Sequence, residues 1–298
     1  MDSVTQVMLG SAVGQATLGS KIGRRAILWG AICGTLPDLD VLINFGGAIE
    51  DFTYHRGFSH AFFVHLLITP LLVWLILKIH PDTRPYKKRW IRLVLITLTT
   101  HALLDSFTVY GTQLFWPFSE YPVGISSIFI IDPFYTLPLL AGVVIALWLG
   151  SGHPSAQKMN TAGLMLSSLY LCWTLVAKWQ VDSVVEQTLA ARNIEATAIE
   201  TTPAPFNSLL WRVVVMAGDR YYEGYTSVLD NPPRLNLDAY PTQPELLADI
   251  ADEWGVQRLQ WFTKGLYSVR ARENDVVISD LRMGVEGSYV FAFEVGEI

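Results

Sequence analysis

Four stretches of this chain are too apolar for an ordinary water-facing surface: residues 61–79 (AFFVHLLITPLLVWLILKI), 91–110, 134–150 and 162–177. About 20 consecutive apolar residues carry a helix across the hydrocarbon core of a bilayer, and each run approaches that length. A buried core helix could account for one of them; four together predict a membrane domain. Two weaker runs precede them, at 4–20 and 26–45, where Gly10, Ser11, Gly14 and Gly19 suit close helix–helix contact rather than lipid. The pattern therefore predicts a polytopic α-helical membrane domain with about six embedded helices.

Charge divides the chain. The first 179 residues carry 12 of the 21 Lys and Arg but only 9 of the 27 Asp and Glu, so the net charge of −6 belongs to the tail. Nothing in that balance points to a nucleic-acid partner. Lys21, Arg24 and Arg25 separate the first two runs, Arg84, Lys87, Lys88, Arg89 and Arg92 the third and fourth, and Lys158 the last two. Positive loops favour the cytoplasmic side. With six crossings, alternation then puts both termini, residues 38–60 and the 110–134 loop outside. No secretory signal is expected, since Asp2 precedes any basic residue and 4–20 is rich in Gly, Ala and Ser. Cys33 and Cys172 lie in apolar segments and read as small hydrophobes, with neither a disulfide nor a cysteine metal site indicated.

Past the last apolar run, Val181, Val184, Val185 and Leu189 continue a helical stripe, and TTPAP at 201–205 reads as a linker. LLWRVVVMAG, RYYEGYTSVL, YSVRAR, DVVISDLRM and SYVFAFEV then alternate with Gly, Asn and Asp in the manner of strands. Thr242 and Glu245 suggest a capping box ahead of Leu246, Leu247 and Ile250. The predicted organisation is a helical membrane domain at 1–179, a helical extension and linker at 180–205, and a small soluble α+β domain at 206–298. The last contains no chemical motif, and its partner is not indicated.

Ionisable side chains at lipid depth are expensive and usually mark function. Asp38 and Asp40 form PDLD; DFTYHRGFSH holds His55, Arg56, Ser59 and His60; His101 and Asp105 lie four apart in THALLD, hence on one helix face. At about 1.5 Å per residue from Trp90, His101 lies roughly 16 Å and Asp105 about 22 Å along its helix. The orientation above gathers all three aspartates and three histidines toward one side. Such nitrogen and oxygen donors suit zinc and similar ions, and two ions sharing a carboxylate could activate water and stabilise an oxyanion. Taken singly, an aspartate at a helix end is a cap and a histidine a structural residue. Arg56 suits a phosphate or carboxylate, or pairs with one of the aspartates. Ser59 either supports the ligands or caps the next helix, and Thr112 and Gln113 offer hydrogen bonds just past Asp105. Trp116, Phe118 and Tyr121 fit an interfacial aromatic belt, and Asp132 a cap. His65, five residues beyond His60, turns to another face and reads as helix packing. His80 and His153 fall in the proposed cytoplasmic loops.

PDLD, HRGFSH, THALLD and YGTQLFWPFS, in this order among apolar helices, resemble the YdjM family of predicted inner-membrane metal-dependent hydrolases over about residues 1–150. The resemblance implies Asp38, His55, His60, His101 and Asp105 as metal ligands, with Asp40 close behind. It also implies kinship with zinc-dependent phospholipase C and P1-type nuclease folds, whose clustered metals hydrolyse phosphoesters. Where many members carry a histidine near the N-terminus this chain reads Thr5–Gln6, which puts the number of ions in question. The expectation is a multi-pass protein of the bacterial inner membrane that hydrolyses a small-molecule or lipid substrate. Its cofactor is one or more divalent ions, zinc first, with Arg56 and Asp40 as catalytic residues. A phosphoester of a lipid or lipid-linked molecule at the external leaflet fits the site's depth, with the tail also on the non-cytoplasmic side. The alternatives are a metal-ion transporter and a non-catalytic membrane anchor for the tail domain.

Overall fold

Asp2 starts the first helix by accepting hydrogen bonds from the Val4 and Thr5 N–H groups at 3.0 and 3.1 Å. In the computed structural model, which describes residues 1–297, this helix is α1 (Ser3–Gly14). It continues through a π-helical turn, Gln15–Gly19, and one helical turn, α2 (Ser20–Ile22), and the chain then returns as α3 (Arg24–Thr35). Small residues set the distance between the two. A Cβ at Gly10 would lie 2.2 Å from the Gly30 carbonyl oxygen, one at Gly30 2.1 Å from that of Gly10, and one at Gly14 2.1 Å from that of Ala26. The antiparallel hairpin closes backbone on backbone.

A 3₁₀ turn, Pro37–Leu42, follows α3. After the short α4 (Ala48–Tyr54) and a second 3₁₀ turn, Phe58–His60, come α5 (Phe62–Ile79), α6 (Lys87–Asp105), α7 (Pro133–Leu149) and the 39-residue α8 (Pro154–Arg192). The chain divides into two compact units. The first comprises Met1–Ile43, His55–Ile125 and Ile130–Trp173; the second comprises Asn44–Tyr54, Ser126–Phe129 and Thr174–Ile298. The apolar core of the first unit joins Leu18, Ala26, Cys33, Val73, Ile76, Trp90, Leu93, Val94 and Leu98.

The expected six embedded helices are not formed. Among the described residues two helices, α5 and α8, are long and apolar enough to cross a membrane. The other apolar runs fail for physical reasons. α1 has 12 residues and buries Thr5, Gln6 and Ser11. Its neighbours supply polar contacts: Thr5 Oγ1 pairs with Thr136 Oγ1 at 2.7 Å, and Asn160 Nδ2 donates to the Ala12 carbonyl at 2.9 Å. α3 also has 12 residues, about 18 Å of rise, and opens on Arg24 and Arg25. α6 begins Lys87-Lys88-Arg89 and buries Trp90, Leu93, Val94, Leu98, His101 and Asp105 against protein. α7 is apolar, but its 17 residues fall short of the length of α5. With two candidate spans, the six-crossing alternation that put the site and the tail outside has no basis. Asp132 does cap α7, accepting from the Phe134 N–H at 2.9 Å.

In the second unit the stripe Ala177, Val181, Val185 and Leu189 of α8 packs on Trp211, Val213, Val215 and Leu235. The strands are β1 (Ala198–Pro203), β2 (Leu210–Ala217), β3 (Arg220–Ser227) and β4 (Asn236–Pro241), an antiparallel sheet in sequence order. TTPAP therefore begins inside β1 rather than in a linker; Thr201 and Thr202 are buried there, and Lys178 Nζ donates to the Thr201 carbonyl at 3.0 Å. A 3₁₀ turn, Pro244–Ile250, takes the place of the helix expected there, and α9 (Trp254–Phe262) follows it. Next come β5 (Tyr267–Arg272), β6 (Asp275–Asp280), β7 (Gly284–Val285), β8 (Ser288–Tyr289) and β9 (Ala292–Glu297). β5, β6 and β9 form one sheet, and β7 and β8 another. Phe52 of α4 stacks against Phe262, Phe291 and Phe293.

Replacing Gly30 by Ala puts a methyl group into the α1–α3 contact and should cost about 1–3 kcal/mol. Leu28→Ala, at a side chain 59% exposed on the same helix, should change stability by less than about 0.5 kcal/mol. Thermal unfolding in detergent compares the two.

Candidate metal centre

Three short pieces of chain deliver four donors to one point. The 3₁₀ turn after α3 carries Asp38, the 3₁₀ turn before α5 carries His60, and the last turns of α6 carry His101 and Asp105. One donor atom from each lies within 4.8 Å of the others. His60 Nε2 is 3.1 Å from His101 Nε2, 3.1 Å from Asp105 Oδ2 and 3.5 Å from Asp38 Oδ1. His101 Nε2 lies 3.4 Å from Asp38 Oδ1 and 3.3 Å from Asp105 Oδ2. His60, His101 and Asp105 are fully buried, and Asp38 is partly open.

The other ring nitrogens fix the protons. His101 Nδ1–H donates to the Gly34 carbonyl at 2.7 Å. The Ser59 hydroxyl donates to Asp40 Oδ2 at 2.6 Å, so its oxygen accepts from His60 Nδ1–H at 2.8 Å. With Nδ1 of each ring carrying a proton, the two Nε2 atoms face each other and two carboxylate oxygens. Four electron-rich atoms at these separations repel unless positive charge lies among them. A tetrahedral ion with ligands at about 2.0–2.1 Å has edges of about 3.3 Å, and the five separations above scatter around that value. The donor set and its spacing fit a zinc-sized cation.

Asp105 is oriented by its second oxygen. Oδ1 accepts from Gln6 Nε2 at 2.9 Å, faces Arg56 Nη2 at 3.5 Å and contacts the amino group of Met1. Gln6 Oε1 is buried without a hydrogen-bond partner among the described residues. Arg56 has a left-handed backbone, φ 59°. Its N–H donates to Asp40 Oδ2 at 2.9 Å, Nη1 donates to Thr108 Oγ1 at 3.1 Å, and the guanidinium lies 5.2 Å from the Tyr110 ring centre. The Gln113 N–H closes this loop on the Arg56 carbonyl at 2.9 Å, and Thr112 exchanges two backbone hydrogen bonds with Val123, both at 2.9 Å.

Burial alone would raise the Asp38 pKa, but hydrogen bonds from His101 and His60 and the charge of His101 outweigh it and hold the carboxyl below its usual range. Asp40 behaves alike: burial opposes ionisation, and the His55 hydrogen bond, the charges of His60 and His55, and the Ser59 hydroxyl overcome it. Both are carboxylates at neutral pH.

His55 stands outside the four donors, with Nδ1 2.8 Å from Asp40 Oδ1. Asp40 likewise touches ring and hydroxyl donors rather than the convergence point. Sequence reasoning overlooked the Gly34 carbonyl, Thr108 and Tyr110; His65 lies buried in α5 outside the four donors, and its Nε2–H donates to the Ser59 carbonyl at 2.9 Å. The helix does not run through His60: α5 starts at Phe62 after a 3₁₀ turn, so five residues no longer set a helical phase.

Residues 1–181, which carry all four donors, match the family model described as YdjM inner membrane protein. The chain belongs to the YdjM inner membrane protein family. It is similar to the uncharacterized protein YfhP of Bacillus subtilis (strain 168), 26% identical over 249 residues that cover 77% of this chain and 71% of that protein. A match of that extent includes part of the tail beyond residue 181. The inner membrane protein YbcI of Escherichia coli (strain K12) is 37% identical over 115 residues, 35% of this YdjM-family chain and 60% of YbcI. No solved structure matches.

Removing the Ser59 hydroxyl should strip His60 Nδ1 of its acceptor. Ser59→Ala is expected to weaken metal binding by about 10–100-fold, measured by competition with a chelator of known affinity.

Proposed function

We propose that this protein is a membrane-bound metal-dependent hydrolase, with Asp38, His60, His101 and Asp105 holding one divalent ion. The convergence of two imidazole Nε2 atoms and two carboxylate oxygens carries the reading. Two nitrogens and two oxygens favour zinc. Such an ion supplies Lewis-acid activation of water and neutralises charge on the substrate. Arg56, beside Asp105, offers a fixed cation to an anionic group, and a phosphoester matches that pairing. Thr112 and Gln113 brace the Arg56 loop.

A lipid or lipid-linked substrate is supported by the surface around the site. Leu39, Val41, Leu42 and Ile43 flank the two aspartates and are exposed, as is Phe58 beside Ser59. Apolar side chains exposed together mark a surface that meets lipid or another apolar partner. An ion path through the protein would need polar lining, and what speaks against transport is the apolar packing of Val94, Leu98, Trp90 and Leu93 on α6 before His101.

The test uses protein purified in detergent, with bis(p-nitrophenyl) phosphate and phosphatidylglycerol vesicles as substrates. About one zinc per chain is expected, with hydrolysis that stops on chelation and returns with zinc. His60→Ala and His101→Ala should lose both metal and hydrolysis; retention of both in either variant overturns the proposal.

A further inference from the structure

Beside the four donors lies a histidine with an unused nitrogen. His55 donates Nδ1–H to Asp40 Oδ1 at 2.8 Å, and that carboxylate is itself 3% exposed. Asp40 is pinned by two further donors, the Arg56 N–H at 2.9 Å and the Ser59 hydroxyl at 2.6 Å. The imidazole is therefore held in one tautomer and one orientation. Its Nε2 has no hydrogen-bond partner among the described residues, and its side chain is 22% exposed. The ring centre lies 6.2 Å from that of His60, one of the four donors, and 5.4 Å from Tyr110, whose ring also carries the Arg56 guanidinium. A structural histidine ordinarily satisfies both nitrogens; here one is anchored and the other, on a partly exposed ring beside His60, has no partner among the described residues.

We propose that His55 is the proton donor to the leaving group, with Asp40 as the residue that positions it. The inference rests on the hydrolase reading above. In the reaction the oxygen of water forms a bond to phosphorus and releases a proton to solvent. The bond from phosphorus to the leaving oxygen breaks with its electron pair on that oxygen. The oxygen takes the proton from Nε2 of His55, which regains one from solvent before the next turnover. A carboxylate on Nδ1 stabilises the charged imidazole that this step requires. A lipid alcohol is a poor leaving group, so its departure depends on such a donor, whereas p-nitrophenolate leaves without one.

The experiment compares wild type with His55→Gln on phenyl methyl phosphate and p-nitrophenyl methyl phosphate, with zinc content measured on the same samples. Zinc per chain should be unchanged. Turnover of the phenyl ester should fall about 10²–10⁴-fold, that of the nitrophenyl ester far less, and imidazole added to His55→Ala should restore part of the phenyl activity. Equal losses on both esters, no loss on either, or lost zinc in His55→Gln overturns the inference and leaves the hydrolase reading standing. Wild-type protein that hydrolyses neither ester overturns both.

Discussion

Everything at the candidate site depends on one electrostatic problem: two imidazole Nε2 atoms and two carboxylate oxygens brought to within 3.1–3.5 Å across five of their pairs. Left to themselves the two carboxylates repel in so buried a place. A cation resolves the repulsion, and the surroundings are built as if for one. The Gly34 carbonyl and the Ser59 hydroxyl turn the protonated nitrogens away from the centre. Gln6 and Arg56 meet the outer oxygen of Asp105, so the inner one remains available.

The fold of the first unit follows from what these supports need. Gly34 and Gln6 lie on the two helices that close through Gly10, Gly14 and Gly30, and a Cβ at Gly34 would itself lie 2.7 Å from the Gln6 carbonyl oxygen. One backbone contact therefore sets both the acceptor of His101 and the donor to Asp105. The i, i+4 step of α6 does the same for His101 and Asp105, whose donor atoms meet at 3.3 Å. Asp40 links the remaining loops, touching His55, Arg56 and Ser59 with one carboxylate.

The chemistry was more legible in the sequence than the architecture. Rare acids and imidazoles in apolar surroundings stand out, and the spacing of His101 and Asp105 states their common face. The number of membrane helices did not follow from apolarity, because a run such as 91–110 is equally apolar whether it meets lipid or, as in α6, packs on Val73 and Ile76. Small residues at Gly10 and Gly14 did announce close packing, and their partners Gly30 and Ala26 supply it. The Gly34 carbonyl was invisible, because a main-chain oxygen leaves no mark on composition. TTPAP was misread because its prolines outweighed two threonines that β1 buries.

X-ray absorption at the metal edge of the purified protein addresses the central claim most directly. The account requires a first shell of nitrogen and oxygen at about 2.0–2.1 Å, with outer-shell scattering from two imidazole rings. A spectrum with no bound metal, with sulfur at about 2.3 Å, or with a shell lacking imidazole would contradict it.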